Sequence, residues 1–427
     1  MKTISPISIL LRREGVVNRI SRLPKPRTDD IAPSLWGRAG VGLLCLFLFG
    51  CITEWEAKDM DEIAGILVVE GFITDDESVI TLSRSKGLSF EDNILDLSPY
   101  RVTDANVSIE CDDGTQWLAT GQNSGKYTIQ TEKLNPERQY RLKIEVDRHE
   151  YQSEYACPMV SPEIDSAFWI KRGSGQPVTI HVATHAPDST VQYYRWSYTE
   201  DWEYTSFYYL DEILNRDGSI YQNAFPFYCW DKANNNGLLP GSSEKTVFGK
   251  LKEKITEINP WDEKLSILYR IKVRQNVIRK RAYDYFEKVK KNAGQTGSLF
   301  AHVPSEIKGN IICTTDPGRV VIGYVDVSTT TQTVLFIYNY EDDVYEPVRE
   351  AGKCPGVSLN QMFYYQVYGI NPEDHVVWQW SMPWPATVPT PTGYIHKKCV
   401  DCTLWGGATQ KPADWPNDHS DAYTIQE

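Results

Sequence analysis

The chain has 427 residues, 41% of them hydrophobic and 12% aromatic, and a formal net charge of −13. That length allows two domains or more, and that apolar content excludes a disordered chain. Residues 1–50 carry eight Lys/Arg and three Asp/Glu, leaving 36 against 54 from Cys51 onward, a formal −18; a surface this acidic excludes nucleic acid as a partner and argues against electrostatic binding to anionic lipid.

The first informative stretch is Val41 to Phe49, an apolar run that ends on Gly50-Cys51. It is too short to span a bilayer, which takes about 20 apolar residues. It fits the core of a secretory signal. Basic residues precede it, the nearest being Arg38, and the polar, acidic Ile52-Thr53-Glu54-Trp55-Glu56 follows. Basic flank, apolar core, small residue and cysteine are the layout of a bacterial lipoprotein signal, so Cys51 is the expected lipidation site. Phe49 is bulkier than the residue usual at its position. Residues 1–40 are longer than a normal basic leader, and we expect translation to start nearer Val41; a precursor peptide from Arg13–Arg27 would exclude that. Residues 51–62 then read as an acidic, lipidated linker.

Residues 63–160 read as one β domain. Ile66 to Ile73 and Val79 to Leu82 are strands, and Lys86 to Tyr100 is a looser insertion. Asp112-Asp113-Gly114 between two alternating runs signals a hairpin. Gly125 to Ile129 and Gln139 to Val146 alternate cleanly, with Tyr140, Leu142, Ile144 and Val146 on the core side. Short strands with turns at this spacing predict an immunoglobulin-like β-sandwich. Pro158 to Pro162 reads as a linker.

Residues 161–427 read as a larger β-rich domain. Val178–Val182, Tyr193–Tyr198, Lys264–Gln275, Gly309–Ile312, Val320–Val325 and Thr333–Tyr338 are its strands. One amphipathic helix is predicted at 278–293, because Ile278, Ala282, Tyr285, Phe286 and Val289 share a face; Gly294 and Gly297 are expected to end it. The stretch Pro383 to Pro391 is rich in Pro and Thr and leads into Cys399-Val400-Asp401-Cys402.

Several pieces recur as an ordered set: Leu67-Val68-Val69-Glu70-Gly71-Phe72-Ile73-Thr74, Phe227-Tyr228-Cys229-Trp230, Gly297-Ser298-Leu299-Phe300, Ile307-Lys308-Gly309-Asn310-Ile311, and Ile322-Gly323-Tyr324. Lys398-Cys399-Val400-Asp401-Cys402-Thr403-Leu404-Trp405-Gly406-Gly407 and Lys411-Pro412-Ala413-Asp414-Trp415 complete it. The chain thereby resembles, from about Ile63 to its end, a Bacteroidetes outer-membrane lipoprotein family catalogued as domain of unknown function 4249. The resemblance implies an outer-membrane location facing the exterior and a TonB-dependent receptor as neighbour and partner. It implies no reaction and no cofactor. The acidic stretch Glu54, Glu56, Asp59, Asp61, Glu62 is similar to the surface-export tag of such lipoproteins.

Seven cysteines remain beyond Cys45 and Cys51. In an exported chain they read first as disulfides. We expect Cys229, Cys354, Cys399 and Cys402 to form two bridges, with three pairings open. A zinc site at Cys399-x-x-Cys402 would need a second pair or histidines such as His396. A redox motif would need the pair to open a helix. His181 and His185, four apart, sit in a strand and a loop, not on a helix face. The sequence has no nucleophile elbow, phosphate loop or HExxH, so we expect no enzyme and name no catalytic residue. Aromatics are in excess, 25 Tyr and 13 Trp. Trp196, Trp202, Tyr204 and Trp380 are candidate binding aromatics, with core packing as the competing reading. The function read from all this is a surface lipoprotein that assists a receptor; a surface hydrolase and an adhesive surface protein are the alternatives.

Overall fold

The computed structural model describes residues 65–75, 77–85, 100–122, 124–186, 192–208, 212–214, 220–222, 225–295, 308–339, 344–345, 357–358, 375–379 and 392–416. Cys51, Cys354 and Trp380 lie outside them.

The first strands in the chain are β1 (Leu67–Gly71), β2 (Ile73–Thr74), β3 (Glu77–Arg84), β4 (Asn106–Cys111), β5 (Gln116–Leu118), β6 (Thr120–Gln122), β7 (Lys126–Gln130), β8 (Tyr140–Val146) and β9 (His149–Ser153). Next come β10 (Ile164–Ile170), β11 (Val178–His185), β12 (Tyr193–Thr205), β13 (Glu212–Leu214), β14 (Ile220–Gln222), β15 (Tyr228–Ser242), β16 (Lys250–Ile258) and β17 (Leu268–Ile278). A helix α1 (Lys280–Gln295) precedes β18 (Ile311–Cys313), β19 (Val321–Gly323), β20 (Val327–Ser328) and β21 (Thr330–Tyr338). Last are β22 (Val357–Ser358), β23 (His375–Gln379) and β24 (Thr392–His396). Among the described residues no helix is long and apolar enough to cross a membrane.

Two five-stranded sheets, ordered β19-β1-β3-β7-β6 and β18-β9-β8-β4-β5, face each other as the first sandwich. Their alternation puts Ile80, Leu82, Ile109, Tyr127, Ile129, Leu142, Ile144 and Tyr151 between them. Tyr140, Leu142, Ile144 and Val146 are all buried, as their period of two requires. The second sandwich packs a three-stranded sheet, β10-β11-β16, on a four-stranded one, β15-β12-β17-β21. A further five-stranded sheet is ordered β14-β13-β23-β24-β22, and β2 and β20 form a two-stranded one.

The boundary expected at residues 160/161 does not separate these bodies. β19 pairs in parallel with β1, matching Val321 to Leu67. β18 pairs with β9, and β20 with β2. The chain after the helix thus returns to complete the first sandwich, then re-enters the second as β21 beside β17. Nothing local in residues 308–328 records this, because the partners lie far away in sequence.

The run Leu67-Val68-Val69 is apolar at every position, which alternation alone does not explain. Leu67 and Val69 face the sandwich core, whereas Val68 packs outward under α1. The helix buries Ala282, Tyr285, Phe286 and Val289 against Val68, Phe72 and Tyr324. It begins two residues later than predicted and runs through Gly294 to Gln295. The strand expected from Lys264 starts at Leu268, because Asp262 caps a short 3-10 turn over Glu263–Leu265 and accepts from the Lys264 N–H.

A buried polar junction joins the sandwiches. Asp326 is 1% exposed. Its carboxylate accepts from the Arg279 N–H at 2.8 Å, the Val327 N–H at 2.9 Å and the Arg279 guanidinium. Arg279 also donates to the Cys157 carbonyl. Beside this, the Ser161 hydroxyl accepts from the Val277 N–H at 2.9 Å and donates to the Thr329 carbonyl at 2.6 Å. Asn310, likewise buried, pairs with the Val325 backbone in both directions, at 2.7 and 2.9 Å. A side chain on Gly309 would collide with the Gly323 carbonyl, so these two glycines serve close backbone approach.

The β8–β9 hairpin turns on Asp147 (φ 50) and Arg148 (φ 64), both left-handed as in a type I′ turn. Asp tolerates that conformation, and glycine is preferred at the second position. Arg148→Gly is therefore expected to raise the free energy of unfolding by about 0.5–1 kcal/mol, measured by urea titration. An unchanged midpoint would mean that Arg148 is not strained.

Candidate functional site

The long strand β12 organises the second sandwich. Its alternate residues Tyr194, Trp196, Tyr198, Trp202 and Tyr204 all point into the core. Trp196 is fully buried, and its indole N–H donates to Gln275 Oε1 at 3.0 Å. Trp202 and Tyr204 are 3% and 2% exposed. The proposal that Trp196, Trp202 and Tyr204 bind a ligand is therefore corrected. Period-two geometry places them on the inner face, and packing takes the surface that a ligand would need. Burial pushes the Tyr204 phenol up to about 12, reinforced by Glu263 and Asp231.

The C-terminal segment clasps the far end of this strand. Cys402 is bridged to Cys229 of β15. Cys399 is also disulfide-bonded. The two cysteines of Cys399-x-x-Cys402 are therefore not joined to each other or to one metal. Among the described residues no three His, Cys, Asp or Glu side chains gather as a metal site. His396 instead caps the following turn by accepting from the Lys398 N–H. Trp230 and Ala408 exchange two backbone hydrogen bonds at 2.8 Å. Gly407 lies against the Tyr204 hydroxyl, and a side chain there would meet Cys229 Cβ at 2.8 Å. Cys111, Cys157 and Cys313 are free thiols.

Further along, the clasp covers the outer face of the same sheet. Arg270, 6% exposed, donates to Asp201 at 2.8 Å and pairs with Asp414 at 3.0 Å. The guanidinium holds the Asp414 carboxyl below the usual carboxylate range. The guanidinium carbon lies over the Trp415 ring, 5.2 Å from the centroid, and the indole N–H donates to the buried Glu203 at 3.0 Å. Through the sheet, Glu200 accepts from Tyr269 at 2.7 Å and from Lys264 at 3.0 Å. Burial first, and the Glu200 charge second, push the Tyr269 phenol well up. The tail Asp414-Trp415 is thus a structural latch.

What this end of the sandwich leaves outside is aromatic. Phe207, Tyr208, Tyr228 and Leu404 are each about half exposed, between 45% and 51%. They form one rim: Phe207 meets Trp405 edge-on at 5.1 Å, and Phe227 meets Tyr228 at 5.0 Å. Backbone bonds hold it, Tyr208 N–H to the Cys399 carbonyl and Ser206 N–H to the Phe227 carbonyl. The disulfide sits directly behind. The aromatic excess noted in the sequence is therefore divided: one face of β12 fills the core, and the residues past its end line a surface. Leu404 and Trp405 stood in the sequence only as part of an ordered motif; their place beside Phe207 depends on the bridge and on backbone bonds to segments about 170 to 200 residues away.

His181 and His185 share the outer face of β11, and each has its own neighbour. His181 stacks on Phe168 at 5.6 Å, and burial with Lys252, Lys254 and Arg172 lowers its pKa. His185 pairs with Asp165 at 2.7 Å.

A search of curated proteins finds no match. Among solved structures, a two-domain fibronectin type III segment of chicken tenascin aligns with 12% identity over 51% of this chain and 91% of its own, at a TM-score of 0.13. Residues 55–334 match the family described as Domain of unknown function (DUF4249), and the chain belongs to that family.

Proposed function

We propose that this chain is a lipid-anchored protein of the bacterial outer membrane, facing the exterior, that acts as an accessory or substrate-binding partner of a TonB-dependent receptor. The apolar run Val41–Phe49 ending on Gly50-Cys51, with acidic residues after it, carries the reading. Three acyl chains on Cys51 would contribute on the order of 30 kcal/mol of membrane affinity. The body then needs only a contact surface for its partner. The rim of Phe207, Tyr208, Tyr228 and Leu404 supports that role, since large aromatics dominate the energetics of protein interfaces.

Labelled palmitate is expected to attach to the full chain and to be lost in Cys51→Ser. Equal labelling of both would remove the anchor. After detergent solubilisation the chain is expected to bring down a TonB-dependent receptor. Phe207→Ser combined with Tyr228→Ser should lower that recovery about tenfold or more, the effect of losing two interface anchors. Recovery of the chain alone would count against the receptor.

A further inference from the structure

At the end of β12 opposite the rim, the fold presents a second surface with different chemistry. The turn between β15 and β16 places Phe248 at φ 59, ψ 28 and Gly249 at φ 66, and the Lys250 N–H donates to the Val247 carbonyl. This is type I′ geometry, whose first left-handed position favours Asn, Asp or Gly. A bulky aromatic there is an outlier. Val247 and Phe248 are also 72% and 74% exposed, so no core contact accounts for either.

The surroundings are basic. Residues 244–254 and 280–291 together hold nine Lys/Arg and four Asp/Glu, in a chain with a formal charge of −13. Lys245, Lys250, Lys252, Lys254, Lys280, Arg281, Lys288, Lys290 and Lys291 are all exposed. Lys254, Lys280 and Arg281 have carboxylate partners in Glu257, Asp284 and Glu154. The rest form no ion pair among the described residues. The two segments are neighbours: Glu244 acts on Lys280 and Tyr283, and Glu253 lies within electrostatic reach of Lys290 and Glu287. This face therefore departs from the average charge on which the expectation against anionic lipid was drawn.

We infer that this face seats the body on a membrane: Lys245, Lys250, Lys288, Lys290 and Lys291 meet phosphate-bearing lipid headgroups while Val247 and Phe248 enter the layer beneath them. An exposed aliphatic–aromatic pair flanked by Lys245 and Lys250, with more lysines on the neighbouring helix, fits a surface that is anionic outside and apolar within. A free polyanion would satisfy the lysines and leave the strained, exposed tip without purpose. The 13 residues of β12 set the two faces about 40 Å apart at 3.3 Å per residue. Seating one end on the lipid points the aromatic rim away from it. The inference stands independently of the receptor reading.

The test uses the full chain carrying Cys51→Ser, so that no acyl chain contributes, and sedimentation with vesicles of phosphatidylcholine alone or mixed with phosphatidylglycerol. The apolar leader acts equally in every variant and cancels in the comparison. Phe248→Asn suits the turn, so the variant is expected to fold and to melt at or above the parent temperature. It should nevertheless partition onto the mixed vesicles about tenfold more weakly. Charge reversal at Lys288, Lys290 and Lys291 should lower partitioning by at least about tenfold at low salt, with the difference vanishing at high salt. Undiminished binding by Phe248→Asn overturns the inference. So does binding that depends on the lysines, ignores Phe248 and is competed away by duplex DNA, which would mark a polyanion site.

Discussion

Asp326→Ala is expected to lower the free energy of unfolding by about 3–5 kcal/mol, the cost of leaving two backbone N–H groups and a half-buried guanidinium without their acceptor. The carboxylate is 1% exposed and accepts from two backbone N–H groups and the Arg279 guanidinium. Alanine removes the acceptor of all three donors at once. The position matters as much as the count. Arg279 sits between β17 of the second sandwich and α1, and Asp326 sits just before β20 in the strands that complete the first. The pair also fixes the Cys157 carbonyl in the connecting segment. Urea unfolding of the parent should therefore show one transition by both near- and far-ultraviolet circular dichroism. The variant should show two, as each sandwich melts on its own. A single transition at the parent midpoint would mean that the apolar contacts of α1 with Val68, Phe72 and Tyr324 couple the bodies without the ion pair.

Cys229→Ser combined with Cys402→Ser is expected to cost about 3–5 kcal/mol, because the bridge closes a long loop in the unfolded chain. The two cysteines are 173 residues apart. Replacing both avoids a lone reactive thiol, and Cys399 keeps its own bond. The local consequence is more specific than the global one. The bridge brings Trp405 to Phe207, and Gly407 to Tyr204, so its loss should free the segment from Cys402 onward. Hydrogen exchange at Trp230 and Ala408, which exchange backbone bonds, should rise well before global unfolding. Receptor recovery should fall with it if the rim is the docking surface. A stability loss below about 1 kcal/mol would show that Arg270–Asp414 and Glu203–Trp415 hold the clasp without the sulfur bridge.

The strands and the helix were legible because their signals are local. Residues 140–146 alternate, and every second one is buried; residues 278–289 repeat at helical spacing, and their shared face is buried. The strand β12 continues past Tyr198, where the sequence pattern ended it, and its alternation puts Trp196, Trp202 and Tyr204 on one face. Which face was core depended on β11 and β16 covering it, and that is a long-range fact. The sequence also singled out Gly309, Asn310, Gly323 and Asp414-Trp415 without saying why. Their purpose is contact between segments far apart: a carbonyl met by a glycine, a strand mimicked by an asparagine, a buried glutamate met by an indole.

Composition and periodicity thus determined that this protein is β-rich, carries an amphipathic helix near residues 280–295 and is 12% aromatic. Tertiary structure alone decided that residues 308–328 belong to the first sandwich, that the aromatic surface lies past the end of β12, and that an acidic chain has a basic face. The reason is physical: secondary structure answers to neighbours a few residues away, whereas sheet pairing, burial and surface charge answer to neighbours in space.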